Sequence, residues 1–128
     1  VFADISAKLK LENILHPLIR LETEKAEQTA KGAYLIFVVP LLVESGNWKN
    51  RVNRTLVVDC TEKTQVQRVM LRNGMTEVEV KAIMNNQASR KQRLEAADDV
   101  IFNEGELTGI QEQVLRLHQM YLTMAEQL

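Results

Sequence analysis

The spacing of apolar residues along the chain changes period several times, and each change predicts an element. Ala33–Val39 (A-Y-L-I-F-V-V) is an unbroken β-rich run between Gly32 and Pro40 and predicts a strand. Leu56, Val57 and Val58 are apolar without alternation, which predicts a strand covered on both faces that ends at Asp59. Asp98-Asp99-Val100-Ile101 predicts a third, short strand. Elsewhere the period is helical. Asp4 or Ser6 can cap a helix through Leu15 with Ile5, Leu9, Leu11 and Ile14 as its apolar positions. His16-Pro17 should interrupt it, because proline lacks the amide donor and disfavours helix at the residue before it. A second helix is then expected from Pro17 to about Ala30, with Leu18, Ile19 and Leu21 inward and Gly32 as its stop.

The remaining pattern is punctuated by caps. Leu41–Glu44 reads as a tight continuation after Pro40, Ser45–Asn47 as loop, and Trp48–Asn53 as a short helix or turn. Thr61 can cap a helix on which Gln65, Arg68 and Arg72 share one face while Val66, Val69 and Met70 lie away from it. Asn73-Gly74 is a turn signal. Thr76–Glu79 (T-x-x-E) and Ser89–Gln92 (S-x-x-Q) match capping boxes, the first opening a helix with Val80, Ile83 and Met84 on one side, the second a helix through Ala97. After a turn at Asn103-Glu104-Gly105, Leu107–Gln127 is a long amphipathic helix with Ile110, Val114, Leu117, Tyr121 and Leu122 at 3–4 spacing. Strands alternating with helices imply an α/β fold with a parallel sheet and helical crossovers. There is no internal repeat and no low-complexity segment.

Composition narrows the classes. At 128 residues, 45% hydrophobic and 26% charged, the chain suits one soluble domain with a core. A net charge of −1 gives no general pull toward nucleic acid or an anionic membrane. Locally, Lys63, Arg68, Arg72, Lys81, Arg90, Lys91 and Arg93 face only Glu77 and Glu79 in the same segment, which could meet a multiply charged anion. Cys60 stands alone, so no internal disulfide forms, which fits a reducing, cytoplasmic compartment; beside a strand end it reads as a small buried residue. With no second cysteine, His16 and His118 make no zinc set. No apolar run has the length of a membrane span and no secretory signal is present. The opening Val-Phe-Ala-Asp, without Met, reads as the lead-in to a helix and leads us to expect a piece of a longer protein.

Candidate chemistry centres on the helix after Thr61. It starts at the carboxyl end of a strand, where open α/β sheets bind ligands, and its Arg68 and Arg72 guanidinium groups suit phosphate oxygens. A solvated helix face accounts for the same spacing. Asp59 after Leu-Val-Val looks like a Walker B carboxylate, a common pattern. His16 reads as a packed or capping histidine sooner than a general base, and Trp48 as a core plug sooner than a stacking platform. Glu44 reads equally as a carboxylate that orients a ligand or metal-bound water and as a solvated loop residue.

Several fragments occur in an order that carries a resemblance: Leu15-His16-Pro17-Leu18-Ile19, Val39-Pro40-Leu41-Leu42-Val43-Glu44, Val57-Val58-Asp59, Gln65-x-x-Arg68-x-x-x-Arg72, Gln87-Ala88-Ser89, Arg93, Ala97-Asp98-Asp99-Val100-Ile101-x-Asn103-x-Gly105, and Leu117-His118-x-x-Tyr121-Leu122. Together they resemble the C-terminal portion of bacterial dephospho-CoA kinases, members of the P-loop kinase group. The resemblance implies P-loop NTPase, nucleotide-kinase-like architecture: a core sheet, helical acceptor-binding elements and a helical lid. It implies transfer of the ATP γ-phosphoryl group to the ribose 3′-hydroxyl of dephospho-CoA with Mg²⁺, the last step of coenzyme A biosynthesis. By the same resemblance residues 1–31 would be acceptor-binding helices, 33–72 core, 74–97 lid, and 98–128 a core strand and C-terminal helix. Arg68 would lie near adenine, Arg72 would meet phosphates and act in catalysis, and Asn103 would lie by adenine. His16, Arg20, Pro40, Leu41 and Glu44 would serve the acceptor, and no residue here would hold the metal.

One departure is large. The family's G-x-x-x-x-G-K-[ST] loop has no match; glycines stand only at 32, 46, 74, 105 and 109. The family's catalytic aspartate is missing too. The chain by itself should therefore bind nucleotide weakly, catalyse little and leave sheet edges exposed. A reading from another class is a non-catalytic α/β interaction module whose basic helix face docks an acidic partner. A nucleic-acid binder is disfavoured by the charge balance and the lack of interleaved aromatics. The sequence leaves oligomeric state open.

Overall fold

A computed structural model describes residues 4–128, so the first three residues of the expected 1–31 region lie outside it. The chain divides into two compact units, residues 4–37 with Leu122–Leu128, and Val38–Tyr121.

In the first unit α1 (Ile5–Thr29) is one continuous helix. The Asp4 carboxylate accepts from the amides of Ser6 at 2.9 Å and Ala7 at 3.2 Å, satisfying donors that the first turn leaves open. The expected break at His16-Pro17 does not occur, and Pro17 lies inside the helix. The ring forfeits one i→i−4 bond, but good helix formers flank it, and the pairs Arg20–Glu24 (3.2 Å) and Glu22–Lys25 (3.3 Å) support the turns beyond. The expected strand at 33–39 is also absent. Residues 34–39 join no ladder among the described residues, and Ile36 and Val38 are 70% and 88% exposed. A strand exists through its partners, and the two described strands pair with each other.

The second unit holds that pair. β1 (Leu56–Asp59) and β2 (Asp99–Phe102) run parallel, with Leu56 opposite Asp99 and Asp59 opposite Phe102. β1 alternates: Val57 and Asp59 are buried while Leu56 and Val58 are exposed, so the strand is covered on one face and not on two as the pattern had implied. α2 (Leu42–Ser45) is a single turn ended by Gly46 in the left-handed region. α3 (Glu62–Asn73) begins where expected, with the Thr61 hydroxyl accepting from the Thr64 amide at 3.2 Å, and stops at Gly74, also left-handed. α4 (Glu77–Asn85) and α5 (Arg90–Ala96) both carry complete capping boxes, from Thr76 with Glu79 and from Ser89 with Gln92. α6 (Leu107–Glu126) follows β2.

The buried apolar residues are few: Val57, Ile101, Val66, Val80 and Leu117. α3 packs on α4, and α5 packs on both β1 and α2. Trp48 is half-buried in a turn, with the Arg51 guanidinium 4.5 Å above its ring.

Candidate functional site

The site forms where the two parallel strands end. The Asn103 amide, just past β2, donates to the Asp59 carbonyl at 2.7 Å, fastening the two strand ends together. From α3, Arg68 Nη1 donates to the Asn103 carbonyl at 2.7 Å. The Glu104 carboxylate accepts from the Thr61 amide and, at 2.8 Å, from the Thr64 hydroxyl. Glu104 thus sits at the positive N-terminal end of α3 and holds the 103–104 loop against it. Those bonds, the Thr61 amide foremost, keep its carboxyl below the usual carboxylate range. Between the loops, Gln65 Nε2 donates to the Cys60 carbonyl at 3.0 Å, and burial pushes the Cys60 thiol up, away from thiolate chemistry.

A second set of contacts enters from α5. Arg90 Nε lies 3.0 Å and 3.2 Å from the two oxygens of Asp59, and its Nη2 lies 2.9 Å from Oδ2. Asp59 is 4% exposed, and its hydrogen bonds keep Arg90 protonated beyond the ordinary range. One turn on, Arg93 Nη1 donates to the Ala88 carbonyl at 2.7 Å, and its Nη2 lies 3.4 Å from Gln65 Oε1. α3, α4 and α5 enclose a cleft of about 1160 Å³, lined among others by Lys63, Gln67, Met70, Lys81, Arg90 and Arg93. Its lining is mixed in sign: Glu62 and Glu77 stand beside Lys63, Lys81, Arg90 and Arg93, with Glu77 paired to Lys81 at 2.8 Å and Arg90 taken by Asp59.

The structure brings together Arg68 and Asn103 from the expected site. Arg72 is on the same helix but turns to its neighbour, with Nε donating to Asn73 Oδ1 at 2.8 Å. Pro40 and Leu41 lie in the turn before α2, and Glu44 is exposed on it. His16 and Arg20 are exposed on α1, in the other unit, with Arg20 paired to Glu24. Sequence reasoning missed the Asp59–Arg90 pair and the role of Glu104. A carboxylate at the end of an apolar strand demands a partner when buried; that demand was a signal, but nothing in the spacing singled out Arg90.

The family model described as dephospho-CoA kinase matches residues 1–109. A curated dephospho-CoA kinase of Burkholderia pseudomallei is 57% identical over 126 residues, which is 98% of this chain and 62% of the relative. The chain belongs to the dephospho-CoA kinase family. A dephospho-CoA kinase of Bordetella avium is 50% identical over 98% of this chain and 60% of its own length. A crystal structure of TT1252 from Thermus thermophilus superposes with a TM-score of 0.80 at 28% identity, covering 94% of this chain and 62% of that one. The chain therefore spans about three fifths of the length of these dephospho-CoA kinase relatives. The partial parallel sheet and helical crossovers are the share of the P-loop kinase architecture that this chain holds.

The Mg²⁺ that such kinases imply finds no fitting donor set of its own here. Both Asp59 oxygens accept from Arg90, and among the described residues no three His, Cys, Asp or Glu side chains converge as a metal site.

Proposed function

We propose that this chain supplies the base-binding rim, lid and acceptor-binding helices of an ATP-dependent kinase that phosphorylates the 3′-hydroxyl of dephospho-CoA. The observation that carries the reading is the Arg68 guanidinium fixed on the Asn103 carbonyl at the carboxyl ends of two parallel strands. Arg68 and Asn103 would border the adenine. Arg72, one turn along α3 and exposed, would leave Asn73 to meet the phosphates and stabilise the charge that develops as the γ-phosphoryl group moves. Residues 74–97, two short capped helices beside a cleft lined by charged side chains of both signs, would close as a lid that excludes water. His16 and Arg20 on α1, and Pro40, Leu41 and Glu44 around α2, would serve dephospho-CoA. Mg²⁺, when bound to ATP, offsets phosphate charge; its ligands would come from outside these residues, as would the phosphate-cradling loop, whose pattern is absent from this sequence. The cytoplasm is the expected compartment, and among the described residues no helix is long and apolar enough to cross a membrane.

The test is coupled turnover of ATP with dephospho-CoA. The 128-residue chain is compared with one extended at its amino end by a family segment carrying the G-x-x-x-x-G-K-[ST] loop. Turnover is expected in the extended chain and little or none in the short one. An extended chain that binds ATP but ignores dephospho-CoA would overturn the acceptor assignment, and one that binds neither would overturn the whole reading.

A further inference from the structure

We propose that Asp59 and Arg90 are a pair of positioning residues that seat the return helix of the lid on the nucleotide-side rim, so that Asp59 is not an open carboxylate awaiting a cation. The lid role of α5 and the consequence for catalysis rest on the kinase reading above; the seating of α5 on the end of β1 does not.

Three observations converge. Asp59 closes β1 and is almost wholly buried, and among the described residues its carboxylate oxygens are met by Arg90 at 2.9, 3.0 and 3.2 Å. This two-sided contact fixes direction as well as distance, since the planar guanidinium matches a carboxylate edge. Arg90 is the first residue of α5, directly after the Ser89 cap, so the point tied to the strand is where that helix begins. α5 in turn packs on β1 and on α2.

The second link is Arg93. It stands one turn beyond Arg90, lines the same cleft, and is held by the Ala88 carbonyl and Gln65. With Arg90 released from Asp59, the start of α5 loses its anchor to the sheet, and Arg93 loses the frame that aims it across the cleft. The burial of Asp59 raises the stakes. A buried carboxylate whose partner is removed is left uncompensated, so the pair acts as one unit and either substitution should produce the same defect.

Two arms test this. In the 128-residue chain without ligand, amide hydrogen exchange is followed for Asp59→Asn, Arg90→Gln, the double variant and Arg90→Lys. Each single variant should speed exchange in α5 by about tenfold, with α6 unchanged as the internal control. The double variant should be no worse than either single one, and Arg90→Lys should recover part of the protection. In the extended chain the same two singles should lower kcat alike and leave the Mg²⁺ concentration at half-maximal rate unmoved. Unchanged α5 exchange in Arg90→Gln, which keeps the carboxylate, overturns the proposal, as does a shift in Mg²⁺ dependence confined to Asp59→Asn. If the extended chain shows no turnover at all, the kinase reading fails while the exchange arm still decides the seating.

Discussion

Single residues in this chain matter most where a buried carboxylate is matched to a distant cation. Asp99, buried at the start of β2, accepts from Arg54 Nε and Nη2 at 2.8 Å each and from the Tyr121 hydroxyl at 2.7 Å. The Arg54 bonds, more than that of Tyr121, hold the Asp99 carboxyl below its ordinary value of 3.8 against the opposing effect of burial. The unfolded chain therefore takes up this proton at a higher pH than the folded one. The stabilisation is complete above the unfolded value and is lost as pH falls through the lowered folded value. Asp99→Asn should cost about 2 kcal/mol at pH 7, less than a fully buried pair would because the Arg54 head reaches solvent. Urea titrations at pH 7 and pH 3 should show the gap between variant and wild type narrowing in acid; parallel curves would assign the network no electrostatic role. At the proposed nucleotide site, Arg68→Ala should raise the KM for ATP in the extended chain. Arg72→Ala should lower kcat by roughly 10²–10³ with acceptor binding little changed. Wild-type behaviour in both would leave the arginine face as plain surface. The helix face that carries Arg68 and the turn at Asn103 were legible in the sequence because both are local features, whereas a place for Asn103 beside adenine came only from the family resemblance. The Asp59–Arg90 and Arg54–Asp99 pairs were not, since each joins residues more than thirty positions apart and only the tertiary placement chooses the partner.

Elements were legible in proportion to how locally they are determined. The Thr61 cap, both capping boxes and the Gly74 stop depend on side chains within one turn of the backbone groups they satisfy, and all stand where the sequence placed them. The strand at 33–39 failed because apolar content states a preference while a ladder needs a neighbour. The break at His16-Pro17 failed for the opposite reason: a local breaker was outvoted by the helix formers on both sides. Pro17 removes the amide that would bond the Asn13 carbonyl, and its ring crowds that carbonyl. Pro17→Ala should restore the bond and favour the helical state of α1 by up to about 3 kcal/mol. Far-UV ellipticity should rise, and amide exchange between Asn13 and Leu21 should slow. Unchanged exchange there would mean that the proline imposes no weak point on the helix.

At the scale of the whole molecule, two parallel strands are a small fraction of a working sheet. Parallel sheets are ordinarily covered on both faces, and an unpaired strand edge invites association. Here Val58 is 62% exposed and Phe102 50% exposed, while the apolar run at 34–39 joins no ladder among the described residues. The relatives are longer, with this chain covering about three fifths of them. On the kinase reading proposed above, additional family sequence would cover these surfaces, and stability and activity would then be two readings of one event. The 128-residue chain should bind an apolar dye such as anilinonaphthalene sulfonate and unfold at low urea concentration. The chain extended by the amino-terminal family segment should lose most of the dye signal, unfold at a higher midpoint, and gain ATP-dependent turnover of dephospho-CoA in the same preparation. A dye-silent short chain with an unchanged midpoint on extension would show that the exposed strand faces are not the seat of the missing contacts. Turnover would then have to come from the phosphate-cradling loop alone, with no contribution from completing the sheet.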